Sequence, residues 1–86
     1  MAHTFTIIPS DKISSLLARV ESAITAGGGS FKGDGEDGVF FGKTLMGFIE
    51  GKYCRTPENE IKITIVDKPF FVPYGVIELK IREYFG

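Results

Sequence analysis

Apolar residues recur along this chain with two different periods, and the places where the period changes mark out seven elements. From Thr4 to Ile8 the side chains alternate, Phe5 and Ile7 on one face and Thr4, Thr6 and Ile8 on the other, which predicts a half-buried strand. From Ile13 the spacing becomes helical. Ile13, Leu16, Leu17, Val20, Ala23 and Ile24 share one side, and Ser14, Ser15, Arg19, Glu21, Ser22 and Thr25 fill the other. Ser10 reads as the N-cap of this helix, Asp11 suits the positive end of its dipole, and Gly27-Gly28-Gly29 supply a C-cap.

Between Ser30 and Asp67, short apolar runs are broken by Gly, Asp and Asn, the pattern of an antiparallel meander. Strands are expected over Ser30 to Asp34, Gly38 to Phe41, Leu45 to Arg55 and Glu60 to Asp67. The turns then fall at Gly35-Glu36-Asp37, Gly42-Lys43-Thr44 and Thr56-Pro57-Glu58-Asn59. The last strand alternates most cleanly, with Ile61, Ile63 and Ile65 facing one way and Lys62, Thr64 and Val66 the other. A Pro-bounded link, Lys68 to Pro73, leads into a terminal helix whose buried stripe is Ile77, Ile81, Tyr84 and Phe85. The order β-α-β-β-β-β-α predicts an α+β fold, a largely antiparallel curved sheet with two helices on one face, forming a single domain over residues 1–86.

Composition narrows the function classes. A chain of 86 residues buries roughly 60 to 65% of its unfolded surface, which leaves room for a groove or an interface but not for a roomy enclosed cavity. A net charge of −1 and a pI near 5.7 give no electrostatic reason to expect nucleic acid as a partner. The lone Cys54 excludes an internal disulfide and fits a reducing cytoplasm. The amino terminus lacks the basic and apolar regions of a signal peptide, and no apolar run approaches the ~20 residues of a membrane span. A soluble cytoplasmic protein is expected.

Reactive residue types do not converge in the sequence. Asp34, Glu36 and Asp37 lie within one short loop, but that loop is shorter than an EF-hand, lacks its distant bidentate Glu, and has the composition of a hairpin turn. The three glycines after the first helix sit on the wrong side of it to cradle a phosphate, and Gly42-Lys43-Thr44 has neither the glycine spacing nor the following helix of a P-loop. Cys54 and His3 are the only members of their types, so a nucleophile pair would require the first and fourth strands to bring them together, and a zinc site would need more ligands than these. Glu78 and Arg82, four apart, read as a solvated helix pair. No cofactor, metal or catalytic residue is assigned, and the expectation is a protein that is not an enzyme.

What stands out is a surplus of apolar residues. Val76 and Leu79 lie off the buried stripe of the terminal helix, and Met46 and Phe48, joined by Phe40, fall on the wet face of the central strands. Either these five form a contact surface for self-association or a protein partner, or strand twist and helix register bury them. Phe70, Phe71 and Tyr74 are candidates to line a hydrophobic groove between the sheet and the link, the site of a small apolar ligand in a second reading.

The order and punctuation of the chain resemble the polyhydroxyalkanoic acid system proteins, small bacterial proteins named after polyhydroxyalkanoate gene clusters. The resemblance is carried by Phe31-Lys32-Gly33-Asp34, by Gly47-Phe48-Ile49-Glu50-Gly51, by Asn59-Glu60-Ile61-Lys62-Ile63-Thr64, and by the apolar link leading into Ile77 to Phe85. The charged amino-terminal region usual in that family is here the milder Pro9-Ser10-Asp11-Lys12. The resemblance implies a protein without enzymatic activity, near storage granules, and it transfers no site residues.

Overall fold

Strand alternation and helical periodicity converge on one dry layer. The computed structural model of the chain describes residues 3–10, 12–44 and 47–85. Its elements are β1 (His3–Ile7), α1 (Ile13–Ala26), β2 (Ser30–Gly33), β3 (Asp37–Thr44), β4 (Gly47–Arg55), β5 (Ile61–Asp67) and α2 (Tyr74–Phe85). The strands form one sheet in the order β1-β5-β4-β3-β2, every neighbouring pair antiparallel, so the fold is α+β as the pattern predicts. β1 and β2 are the two edges, and α1 carries the chain from one to the other.

The sheet presents Phe5 and Ile7 of β1, Ile61, Ile63 and Ile65 of β5, Ile49 and Tyr53 of β4 and Phe40 of β3 to the helices. Ile13, Leu16, Leu17, Val20 and Ile24 of α1 and Ile77, Ile81 and Phe85 of α2 close over them in a single cluster, with Val72 of the link buried alongside. Each such side chain contributes about 1.5–3 kcal/mol on leaving water, and among the described residues no buried side-chain polar atom lacks a hydrogen-bond partner to oppose it.

The first helix begins later than expected. Its N-cap position is Lys12, whose backbone carbonyl accepts from Leu16 N–H at 2.9 Å without any side-chain cap, so Ser10 lies outside the helix; Asp11 falls outside the described residues. The buried stripe, which starts at Ile13, sets the boundary rather than the local capping signal. At the other end the glycines act as expected. Gly28 takes a φ of +93°, its N–H meets the Thr25 carbonyl, and the Gly29 N–H meets that of Ile24, the reciprocal pair of a Schellman motif.

Two further expectations are corrected. Gly42-Lys43-Thr44 is not a turn but the end of β3, because the β3–β4 ladder runs without a break from Asp37 opposite Cys54 to Thr44 opposite Gly47. The reversal comes after Thr44, whose hydroxyl donates to the Gly47 carbonyl at 2.7 Å; Leu45 and Met46 lie outside the described residues, so the place of Met46 in the surplus surface does too. Phe40 is core rather than surface. It faces Gly51 across the ladder, and its ring fills the space that glycine leaves, so that a Cβ there would stand 2.8 Å from Phe40 Cε2. The same ring tilts against Phe85 of α2 at 6.1 Å between centroids. Val39 and Phe41 therefore point out to the open face.

Candidate functional site

The remaining surplus residues are where the sequence pattern leaves them. Phe48 follows Gly47 on β4 with Ile49 turned into the core, and alternation forces its side chain onto the open face of the sheet, 60% exposed. Val76 and Leu79 of α2 are also solvent-facing, Leu79 at 68% exposure, since the turn that buries Ile77 and Ile81 carries these two to a neighbouring side of the helix.

Val76 and Leu79 do more than stand in water. They line a groove of about 650 Å³ between α2 and the β3–β4 hairpin, floored by Ile49 and Ile77, flanked by Tyr84 and rimmed by Lys43, Lys80 and Glu83. Lys80 and Glu83 pair at 3.5 Å on the exposed rim, and the Lys80 ammonium lies 5.8 Å from the Tyr84 ring centre. The groove is open and largely apolar. Helical spacing exposes Val76 and Leu79 to a sequence reading, whereas Lys43 and Ile49 join them only through strand pairing.

The expected groove of Phe70, Phe71 and Tyr74 does not form. Phe70, 93% exposed, and Phe71 pack edge-on against each other at 5.6 Å and face solvent, while Val72 alone of that run is buried. Tyr74 goes elsewhere, because it opens α2 beside the edge strand. Its ring stacks on His3 at 5.0 Å, with the Lys68 ammonium 4.8 Å above it.

His3 and Tyr74 belong to a polar latch between β1 and α2. The His3 Nε2–H donates to Glu78 Oε1 at 2.8 Å, and Arg82 donates through Nε to Glu78 Oε2 at 3.0 Å, its Nη2 completing the ion pair 2.9 Å from the same oxygen. Arg82 Nη1 also reaches the Thr6 carbonyl on the sheet edge at 3.4 Å. The His3 hydrogen bond first, and those of Arg82 next, hold the Glu78 carboxyl below its ordinary range. The Glu78–Arg82 pair read from sequence is thus one half of a tertiary contact, and its other half, 75 residues away, leaves no local signal.

On the open face, a second shallow depression of about 690 Å³ near the β2–β3 turn is lined by charges of both signs, Lys32, Lys52 and Lys62 with Asp34 and Asp37, and by Cys54. Asp34 Oδ1 accepts the backbone N–H groups of Glu36 and Asp37 at 2.8 and 3.1 Å, which fixes that turn and, with Glu36 the larger cause, lowers the Asp34 pKa. Glu36 pairs with Arg55 at 2.9 Å. The acidic loop is held by its own neighbours, and among the described residues no group of three or more His, Cys, Asp or Glu is placed to hold a metal ion. Behind the turn the buried Tyr53 hydroxyl donates to the Asp34 carbonyl at 2.7 Å; burial, then the negative charges of Asp34, Asp37 and Glu21, push its pKa up to about 12.

Cys54 and His3 are not brought together. Cys54 pairs with Lys62 and points to the open face, whereas His3 pairs with Ile65 and packs on the helix side, so the sheet itself separates them. Among the described residues no helix is long and apolar enough to cross a membrane. No protein-family model, curated protein or solved structure matches the chain in comparison.

Proposed function

We propose that this protein is a small cytoplasmic interaction domain without enzymatic activity, which works by contact between its surplus apolar surface and another polypeptide. The observation that carries the reading is that Phe48, Val76 and Leu79 stay exposed on a domain whose core is complete without them. Two of the three share a groove, so the apolar area is concentrated rather than scattered. An accessible lone thiol at Cys54 supports a reducing compartment. Cys54 and His3, the nucleophile pair weighed in the sequence, lie on opposite faces of the sheet.

The test is whether charge at these positions damages the fold or only the contact. Phe48→Lys and Val76→Lys should keep the wild-type circular dichroism spectrum and melt within ~0.5 kcal/mol of it, as surface substitutions do, while weakening association seen by sedimentation. Unfolded variants would place both residues in the core and end the reading. Phe70 and Phe71 support a second reading, contact with a small hydrophobic ligand or a storage-granule surface, because two adjacent rings stand exposed to solvent. In that case Phe70→Ser/Phe71→Ser should abolish cosedimentation with polyester particles, and unchanged cosedimentation would exclude it.

A further inference from the structure

An open sheet has two edges, and an exposed edge offers unpaired backbone groups on which another chain can add a strand. The register shows which groups β1 has on offer. At the end of the β4–β5 hairpin the Thr56 N–H donates to the Glu60 carbonyl at 2.8 Å, and the bonded arrangement recurs at every second pair, Cys54 with Lys62 and Lys52 with Thr64. Lys62 and Thr64 therefore turn their backbone groups toward β4. Opposite them on β1 stand Thr6 and Thr4, so these two residues turn their N–H and C=O groups outward from the sheet. The contact of Arg82 Nη1 with the Thr6 carbonyl, at 3.4 Å, falls on one of them.

We propose that the latch of His3, Glu78 and Arg82 is an edge guard, in which α2 lays the Arg82 guanidinium along β1 and closes that strand to the addition of another. An added strand would run about 4.8 Å from β1. The guanidinium occupies that path, its carbon 5.0 Å from the Phe5 ring centre and its Nη1 on the carbonyl of the next residue. An incoming N–H would have to displace Nη1 from Thr6 and strip water from a charged group. Glu78 is the positioning residue. Its Oε2 accepts the Arg82 Nε–H at 3.0 Å while its Oε1 accepts from His3 at 2.8 Å, so the carboxylate that aims Arg82 is itself tied to the first residue of the strand being covered. Native sheets avoid edge-to-edge association by placing charge on an edge or by keeping an edge strand very short. β2, at the other edge, has only four residues, and β1 carries the charge. This guard stands on residues other than the apolar surface of Phe48, Val76 and Leu79.

Arg82→Ala should keep the wild-type dichroism spectrum, since the side chain is exposed, yet self-associate at least ~10-fold more tightly in sedimentation, with thioflavin binding that marks new strand pairing. Glu78→Gln keeps the size of the side chain and withdraws its charge, so it should shift association the same way by less; should Arg82→Ala unfold, it carries the same comparison. Thr6→Pro is the deciding variant. The Thr6 N–H joins no ladder bond, so proline there leaves the sheet intact and removes a donor that an added strand needs. In Arg82→Ala/Thr6→Pro, association should return to the wild-type level. Ile24→Val, a mild core loss with the latch intact, should gain no thioflavin binding. Association of Arg82→Ala equal to that of the wild type would overturn the edge guard, and so would association that survives Thr6→Pro or that Ile24→Val reproduces.

Discussion

Tyr53 gives the sharpest test of the packing beneath the β2–β3 turn. Its ring stacks on Phe31 at 5.5 Å, the residue is 3% exposed, and its hydroxyl donates to the Asp34 carbonyl at 2.7 Å. Tyr53→Phe keeps the ring and deletes only that donor, so at neutral pH it should cost about 1 kcal/mol, the net worth of one neutral hydrogen bond. For a domain of this size that lowers the melting temperature by about 4–8 °C. The pH dependence of the difference is more telling. The folded-state pKa of Tyr53 is raised from 10.0 to about 12, so its contribution is fully present below pH 10 and is lost as pH rises toward 12. In that window the unfolded phenol ionises and the folded one does not, and the wild type loses up to ~1.4 kcal/mol per pH unit relative to the phenylalanine variant. The two melting curves should thus converge near pH ~11 and then exchange order, while Tyr74 and Tyr84, present in both proteins, cancel. Urea or thermal melts at stepped pH measure it directly. A gap that stays constant up to about pH 11.5 would show that Tyr53 ionises as easily in the fold as in the open chain, and the buried hydrogen bond would be refuted.

Leu17→Ala empties a buried position in the main stripe of α1 and should cost ~2–5 kcal/mol in a chemical melt; a change below ~0.5 kcal/mol would mean that α1 does not pack on the sheet. Gly51→Ala places a methyl group against the Phe40 ring and should destabilise by ~1–3 kcal/mol, with Gly51→Ala/Phe40→Leu recovering part of the loss; a neutral Gly51→Ala would contradict the Phe40 placement. In a carboxyl NMR titration Glu78 should titrate below the ordinary glutamate range and move back upward in His3→Ala, since the His3 hydrogen bond is the first cause of its shift. The stability that Glu78 contributes is present above its unfolded pKa and is lost as pH falls through the lower folded value. An unchanged Glu78 titration in His3→Ala would break the latch.

Local periodicity determined which face is buried in the two helices and in the strands that alternate cleanly, β1 and β5. Ile13, Leu16, Leu17, Val20 and Ile24 of the α1 stripe, the alternation of Ile61, Ile63 and Ile65, and the offset of Val76 and Leu79 from Ile77 and Ile81 appear in the structure as the spacing implies, because side-chain direction follows from the rotation per residue; Ala23, at the margin of the α1 stripe, is exposed. The glycine signal at the end of α1 was equally legible, since a positive φ is a single-residue requirement. Tertiary structure decided whatever depended on a partner distant in sequence. Phe40 is buried because Gly51 lies opposite it, β3 runs on through Lys43 because β4 offers a ladder to pair with, and Tyr74 leaves its neighbours Phe70 and Phe71 because His3 and Lys68 receive its ring. The groove itself was visible only in part. Its helical wall is written in the spacing of α2, but its floor and its Lys43 rim come from a hairpin some thirty residues earlier, and strand register, which joins them, is fixed by pairing between segments rather than by the period within either one.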